Sequence, residues 1–270
     1  MVVVAETSAE GAKLTRPTSD QPAYYVAFDE GYREAGDPVA NEKPPTAAAV
    51  ARALRQTLAA EGYRPATSQT PPSLLVIYHW GSLNRDSLAI QSGVKIDPNL
   101  KARLALVAGG KYAHRIEDEF TQLQLARELH TPLRGNLTNR EQELLELAQD
   151  GRYFVIVSAY DYAALSRHET RLLWRTKMSA SDPGVALAAA LPALIQGGGP
   201  YFGRGNEESQ FVRIPLGPGD KVETGSPAGP ETSDLTSTAG RLDDPFVREL
   251  AEKEGVEVTG ARSRATSGSH

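Results

Sequence analysis

The sequence predicts an α/β (α+β) fold, a two-layer sandwich of a mixed β-sheet with helices on one face. Two observations carry this prediction. A strand–helix–strand unit near the start of the chain implies parallel strands, and a pair of alternating segments further on implies an antiparallel hairpin. A third observation, a group of helices with capping residues between these two parts, adds a helical insertion.

The first unit begins with a β-rich run at Tyr24–Asp29. A helix follows, in which Thr46 is placed to cap the amino terminus and Gly62 to end the helix. The next segment, Leu74–Trp80, is apolar on both faces and is therefore predicted to be a buried central strand. Because a helical crossover joins the two strands, they are expected to lie parallel to each other.

The hairpin is predicted from Tyr153–Asp161 and Thr170–Met178. In the second strand, alternation places one set of apolar residues on a single face and Arg171, Arg175 and Lys177 on the opposite face, which is expected to meet water. The polar segment between the strands is interpreted as a structural connector. The predicted core consists of Leu54, Leu58, Val76, Tyr78, Val155, Val157, Leu172 and Trp174.

The domain organisation follows from changes in composition. We expect a flexible leader over 1–21, a mixed α/β domain over 22–205 with a helical insertion at 97–150, and a low-complexity tail over 206–270. The insertion contains a capping box, Thr138 with Glu141. A closing helix is expected to begin at Asp182 and to be kinked or split at Pro192. The tail is rich in Gly, Pro, Ser and Thr and is predicted to be disordered, with one short helix near 244–254.

Composition excludes several classes of protein. The net charge of −5 provides no general attraction for nucleic acid. The chain has no cysteine, which removes thiol catalysis, disulfides and cysteine-ligated metals. The five histidines show no metal-ligand spacing, so neither a metal nor another cofactor is expected. No apolar run approaches the roughly 18 residues that a transmembrane helix needs.

The candidate ligand-binding residues come from topology. The carboxyl ends of parallel strands share one edge of a sheet, where ligands of α/β proteins tend to bind. Asp29 and Glu30 follow the first predicted strand, and Asn84, Arg85 and Asp86 follow the second. These side chains would line a polar cleft, and the alternative is that they are solvated loop charges. No catalytic residue is predicted.

A wider pattern joins these elements. It consists of a helix ending in a Gly-Tyr turn, a strongly apolar strand, and a later strand with a Leu-Trp-Arg core. The residues that carry it are Leu58, Gly62, Tyr63, Leu75, Val76, Tyr78, Leu173, Trp174 and Arg175. The pattern resembles a family of bacterial envelope proteins of unknown function, many of them lipoproteins. The fold of that family is similar to the amino-terminal domain of the Tol-system translocation protein, which is used for protein contacts. The resemblance covers roughly 22–205 without the insertion, and it implies no catalytic residues.

The leading hypothesis is a non-catalytic, exported bacterial protein of the periplasm or outer envelope that binds another envelope component. The start "MVVVAETSAEG" carries small residues that suit the end of a signal peptide, although the preceding basic and apolar regions are missing. Two alternatives remain open. One is a hydrolase that uses the carboxylate-lined edge, and the other is a cytoplasmic protein-interaction module.

Overall fold

The computed structural model describes residues 1–213, apart from 40–41, 94–96, 129, 131–134, 183–185 and 207–208. The strands are β1 (Val2–Thr7), β2 (Ala23–Ala35), β3 (Tyr63–Pro65), β4 (Leu74–Leu83), β5 (Arg152–Asp161), β6 (Leu172–Ser181) and β7 (Gln210–Phe211). The helices are α1 (Ala47–Ala60), α2 (Ser87–Gln91), α3 (Leu100–Val107), α4 (Gly110–Glu128), α5 (Asn139–Gln149), α6 (Tyr162–Leu165) and α7 (Leu187–Gly198).

The strands form one open sheet of seven strands in the order β3-β2-β4-β5-β6-β1-β7. Strand β2 pairs in parallel with both β3 and β4, and the remaining neighbours are antiparallel. The predicted mixed sheet with helices packed against it is confirmed. The crossover through α1 and the β5–β6 hairpin give the sheet its parallel and antiparallel parts.

Helices α1 and α7 cover one face of the sheet. Thr46 caps α1 by accepting a hydrogen bond from the Ala49 N–H, and Gly62 follows the helix with a φ of 86°. The main core lies beneath these helices, and Trp80, Val155 and Trp174 belong to it. Of the predicted core residues, Leu54, Leu58, Val76, Tyr78, Val155, Val157 and Trp174 are buried in this cluster.

The opposite face of the sheet is also covered. Helix α3 packs against β1 and β6, with Leu104 in one buried cluster and Leu106 beside Phe154 in another. The capping box of Thr138 and Glu141 begins α5, which packs on α3. The helical insertion therefore adds a layer on the face that we expected to meet water. Lys177, predicted to be exposed, is buried, because the alternation of polar residues was mistaken for solvation.

The predicted flexible leader is wrong for its first residues. Strand β1 pairs along its whole length with β6, from Val2 opposite Ser179 to Thr7 opposite Trp174. The predicted boundary at residue 205 is also too early, since β7 pairs with Val2 and Val3 on the other side of β1. Three consecutive valines are a sufficient β-forming run when both faces are covered.

The hairpin differs from its prediction in two details. The register of β5 with β6 shifts between Ala159 and Tyr160, so that Leu173 joins Trp174 in the main core. Leu172, predicted as core on that face, is half-buried and packs in a cluster on the opposite face. The connector contains the short helix α6, with Leu165 buried, and an exposed turn at His168 whose φ is 57°.

The last described helix also departs from its prediction. Helix α7 begins at Leu187 instead of Asp182, and it continues through Pro192 as a single element. The predicted disordered tail beyond residue 213 and its short helix near 244–254 lie outside the described residues. Among the helices that are described, none combines the length and the apolar character needed to cross a membrane.

Candidate functional site

Asp29 and Glu30 lie inside β2 and not after it. The predicted strand ended at Asp29, whereas the observed strand continues to Ala35. The pairing with β4 shifts between Asp29 and Gly31, which makes Glu30 the extra residue of a β-bulge. The Asp29 carboxylate accepts a hydrogen bond from the Gly31 N–H at 2.8 Å, and Gly31 has a φ of 85°. Glycine takes this left-handed conformation without steric cost, so "DEG" specifies the bulge.

Asn84, Arg85 and Asp86 follow β4, as predicted, but other contacts engage two of them. The Asn84 backbone carbonyl accepts hydrogen bonds from Asn99 and Arg103, at 3.0 and 2.9 Å. The Asp86 side chain caps α2 by accepting from the Ala89 N–H at 2.8 Å, and Arg85 is exposed.

The two predicted groups are not brought together. Asp29 pairs with Tyr78, which lies six residues before Asn84 along β4. A strand rises about 3.3 Å per residue, which separates the groups by roughly 20 Å. The structure therefore does not assemble the predicted cleft.

The bulge instead directs Glu30 into a buried polar cluster with His79 and Arg33. The Nδ1 atom of His79 lies 3.1 Å from the Oε2 atom of Glu30, and Arg33 donates to Oε1 at 3.0 Å. The exposed fraction of the side chain is 2% for Glu30 and 1% for His79. Burial of an ion pair is costly unless the charges compensate each other, so the three side chains depend on one another.

Burial lowers the pKa of His79, and the positive charges of Arg33 and Arg175 act in the same direction. The Glu30 carboxylate opposes this shift without reversing it. His79 is therefore neutral at pH 7. Its Nε2 atom is buried and has no hydrogen-bond partner among the described residues. An imidazole beside a carboxylate, with one nitrogen left free, is an arrangement that general bases use.

A side chain that could serve as a nucleophile beside His79 is Ser158 on β5. The register places it opposite Ile77, on the same sheet face as His79 and diagonal to it. However, the Ser158 hydroxyl accepts a hydrogen bond from the Arg175 Nε at 3.1 Å, and it does not bond to the His79 Nε2. No group of three or more metal-binding side chains occurs in the described part of the chain. Among the residues that the structure describes, the cluster therefore contains an oriented base but no aligned nucleophile.

A second feature adjoins this cluster. Strand β3 pairs with β2 only from Ala23 to Tyr25, and the Ala66 N–H extends the contact to the Tyr25 carbonyl. No described strand pairs with the outer side of β2 beyond that point. We call the outer side of β2 from Ala27 to Ala35 the open edge. A Cβ atom built at Gly31 would meet nothing within 4 Å, which agrees with free space beside the bulge.

Side chains from one face of β2 line the open edge. Asp29, Tyr32 and Glu34 pair with Tyr78, Trp80 and Ser82, so all three project to the face of α1 and α7. Asp29 and Glu34 are exposed, and Tyr32 is half-buried. Partial desolvation raises the pKa of Asp29, although the hydrogen bonds that its carboxylate accepts from the Gly31 N–H and the Tyr78 hydroxyl act in the opposite direction.

Comparison with known proteins identifies no family model and no curated protein that matches this chain. The geometry of the open edge and of the buried cluster is therefore the basis for assigning a function.

Proposed function

We propose that this protein is a non-catalytic domain that binds an extended segment of another cell-envelope component by adding it as a strand to the open edge. The observation that carries the proposal is the length of β2 that no described strand pairs on its outer side. Strand β2 extends to Ala35, but its outer neighbour pairs only as far as Tyr25. Exposed strand edges are sites of peptide addition, since the backbone groups of the edge pair with those of the incoming chain.

The direction of the backbone groups can be followed along β2. The Tyr24 carbonyl accepts from Ser73, at the start of β4, while the Tyr25 carbonyl accepts from Ala66 on the outer side. Successive residues of a strand alternate in direction, so Ala27 directs both its N–H and its C=O outward. The same applies to Asp29, up to the bulge. These groups are the first that an added strand would pair with.

The envelope setting of the proposal depends on the sequence pattern "AAEGYRP", "SLLVIYHWG" and "RLLWRTKMSAS" and its resemblance to bacterial envelope proteins. On that basis the protein acts in the periplasm or outer envelope. The strand-addition mechanism does not depend on this setting, and it applies equally to a cytoplasmic interaction module.

The test uses Ala27→Pro and the matched control Ala27→Val. Proline removes the outward N–H of Ala27 and is tolerated at sheet edges, while valine keeps the N–H and favours a strand. The probe is a neutral synthetic peptide of about ten residues with alternating threonine and valine. We expect the peptide to bind the wild type and Ala27→Val, to slow amide hydrogen exchange at Ala27, and to bind Ala27→Pro at least about tenfold more weakly. Absence of binding to the wild type, or equal binding to a folded Ala27→Pro variant, would contradict the proposal.

A hydrolase is the second candidate, and the Glu30–His79 pair is the observation that favours it. In this hypothesis the His79 Nε2 acts as a base toward water, oriented by Glu30. The test is the hydrolysis of a panel of nitrophenyl esters by the wild type and His79→Gln. A rate above that of buffer that disappears in His79→Gln would support the enzyme hypothesis. Equal rates for the wild type, the variant and buffer would contradict the enzyme hypothesis for these esters.

A further inference from the structure

The open edge carries an unequal distribution of charge. On the face of α1 and α7, the exposed carboxylates of Asp29 and Glu34 stand on either side of Tyr32. Burial raises the pKa of Tyr25 in β2 and of Tyr78, which lies opposite Asp29, and the positive charge of Arg55 on α1 acts to lower both pKa values. The charged side chains that β2 itself directs to this face, in the part that no described strand pairs on its outer side, are thus both acidic, in a chain whose net charge is −5.

The bulge sets the spacing of these acidic groups. Asp29, Tyr32 and Glu34 are separated by three and two residues, yet on β4 they face Tyr78, Trp80 and Ser82, which are evenly spaced by two. The bulge absorbs the additional residue. A strand that follows the same register on the outer side therefore meets the three side chains with its own residues i, i+2 and i+4.

A second copy of this chain is a poor occupant of the open edge. Antiparallel pairing of β2 with itself around Tyr32 would bring Asp29 of one copy opposite Glu34 of the other. Like charges directly opposite each other destabilise a strand pair. An extended segment with basic residues at i and i+4 would instead place a cation at each carboxylate, and a small or aromatic residue at i+2 would contact Tyr32.

We propose that the segment bound at the open edge is cationic, with lysine or arginine at two positions four residues apart and an uncharged residue between them on the same face. This inference depends on the proposed function, since it names the partner class of the same edge. It goes beyond that function because strand addition through the backbone alone carries no preference for charge.

The experiment compares three peptides of about ten residues that differ only at positions i and i+4, which carry lysine, threonine or glutamate. Affinities are measured by fluorescence anisotropy at low and high salt, for the wild type and for the double variant Asp29→Asn, Glu34→Gln. We expect the lysine peptide to bind about fivefold more tightly than the threonine peptide, and the glutamate peptide to bind most weakly. The preference should shrink in high salt and disappear in the double variant.

The outcomes separate the two proposals. Equal affinity for the three peptides, with binding that Ala27→Pro still abolishes, overturns the charge preference and leaves strand addition in place. If none of the three peptides binds, both proposals are overturned. Sedimentation that reveals a dimer of the wild type, dissociated by Ala27→Pro but not by Ala27→Val, identifies a second copy as the occupant and overturns the cationic partner.

Discussion

The outermost long strands at the two sides of the sheet, β1 and β2, differ in how far their outer sides are hydrogen-bonded. At one side, hydrogen bonds cover the outer side of β1. Its outer backbone groups pair with β7, Asn206 bonds with Ala5 through both its backbone and its side chain, and Met1 exchanges hydrogen bonds with Val212. At the other side, the thirteen-residue strand β2 has an outer partner only as far as Tyr25 among the described residues. We call the outer side of β1 the closed edge.

The difference shows that a few residues are sufficient to close an edge in this fold. Strand β7 has two residues, and the bonds of Asn206 and Val212 complete the closure. The open edge is longer, yet it carries a bulge and two exposed carboxylates. Bulges and charges limit unwanted pairing between sheet edges. The same features allow a selective partner to bind, since only a strand of matching register and charge fits.

The largest expected effect comes from removing one large side chain from the core beneath the closed edge. Trp174 pairs with Thr7 of β1, is 2% exposed, and stacks on Phe202 with ring centroids 5.5 Å apart. Trp174→Ala should lower the free energy of unfolding by about 3–5 kcal/mol, because a large cavity replaces the ring. Urea denaturation provides the measurement. The matched control is Phe211→Ala in β7, where the residue is 47% exposed and a loss below about 1 kcal/mol is expected. Similar losses for the two variants would mean that Trp174 does not support the core.

An intermediate effect should follow from disturbing the contact of β2 with β4. A Cβ atom at Gly81 would lie 1.7 Å from the Arg33 carbonyl oxygen, so Gly81→Ala must push the two strands apart. We expect a loss of about 1–3 kcal/mol in the free energy of unfolding. Gly31→Ala is the control at the open edge. It adds backbone strain of about 1 kcal/mol at a positive φ, but the methyl group meets no neighbour. A larger loss for Gly31→Ala than for Gly81→Ala would show that the space beside the bulge is filled.

The smallest effect at neutral pH concerns the buried imidazole behind the open edge. Burial lowers the pKa of His79 in the folded state, so below a pH of about 6.5 the unfolded chain binds the additional proton more readily. The contribution of neutral His79 to stability is present above that pH and is lost as the pH falls toward the folded-state pKa. Denaturation of the wild type and His79→Gln between pH 8 and 5 should give a steeper loss for the wild type. Parallel pH profiles for the two proteins would argue against a buried, neutral His79.

Much of the fold could be predicted from the sequence where local rules and tertiary packing agree. Thr46 and Gly62 marked the limits of α1, the capping box marked α5, and the doubly apolar run marked the central strand β4. The prediction failed where polar side chains are buried together with apolar ones. Arg175 and Lys177 alternate with apolar residues, which indicates a solvated face, yet helix α3 packs over that side of the sheet.

The candidate residues show the same limit. Glu30 was predicted at a ligand-binding edge because the polar run after Phe28 was interpreted as a loop. Two local features could have located it correctly. A glycine inside a β-forming segment suggests a bulge, and His79 is the one histidine in a largely apolar strand. Their pairing across strands is a tertiary fact, since register is not encoded by either segment alone.

The position of β1 has a consequence for the order of folding. Its partner strand β6 begins at Leu172, and its outer partner β7 begins at Gln210. At a synthesis rate of roughly 5–20 residues per second, β1 is therefore made on the order of ten seconds or more before its neighbours β6 and β7. Throughout that interval β2, α1 and β4 can assemble without it, because their contacts are close in sequence. The sheet is thus begun from the side of the open edge and completed at the closed edge, so that β1 is placed after strands that follow it in the chain.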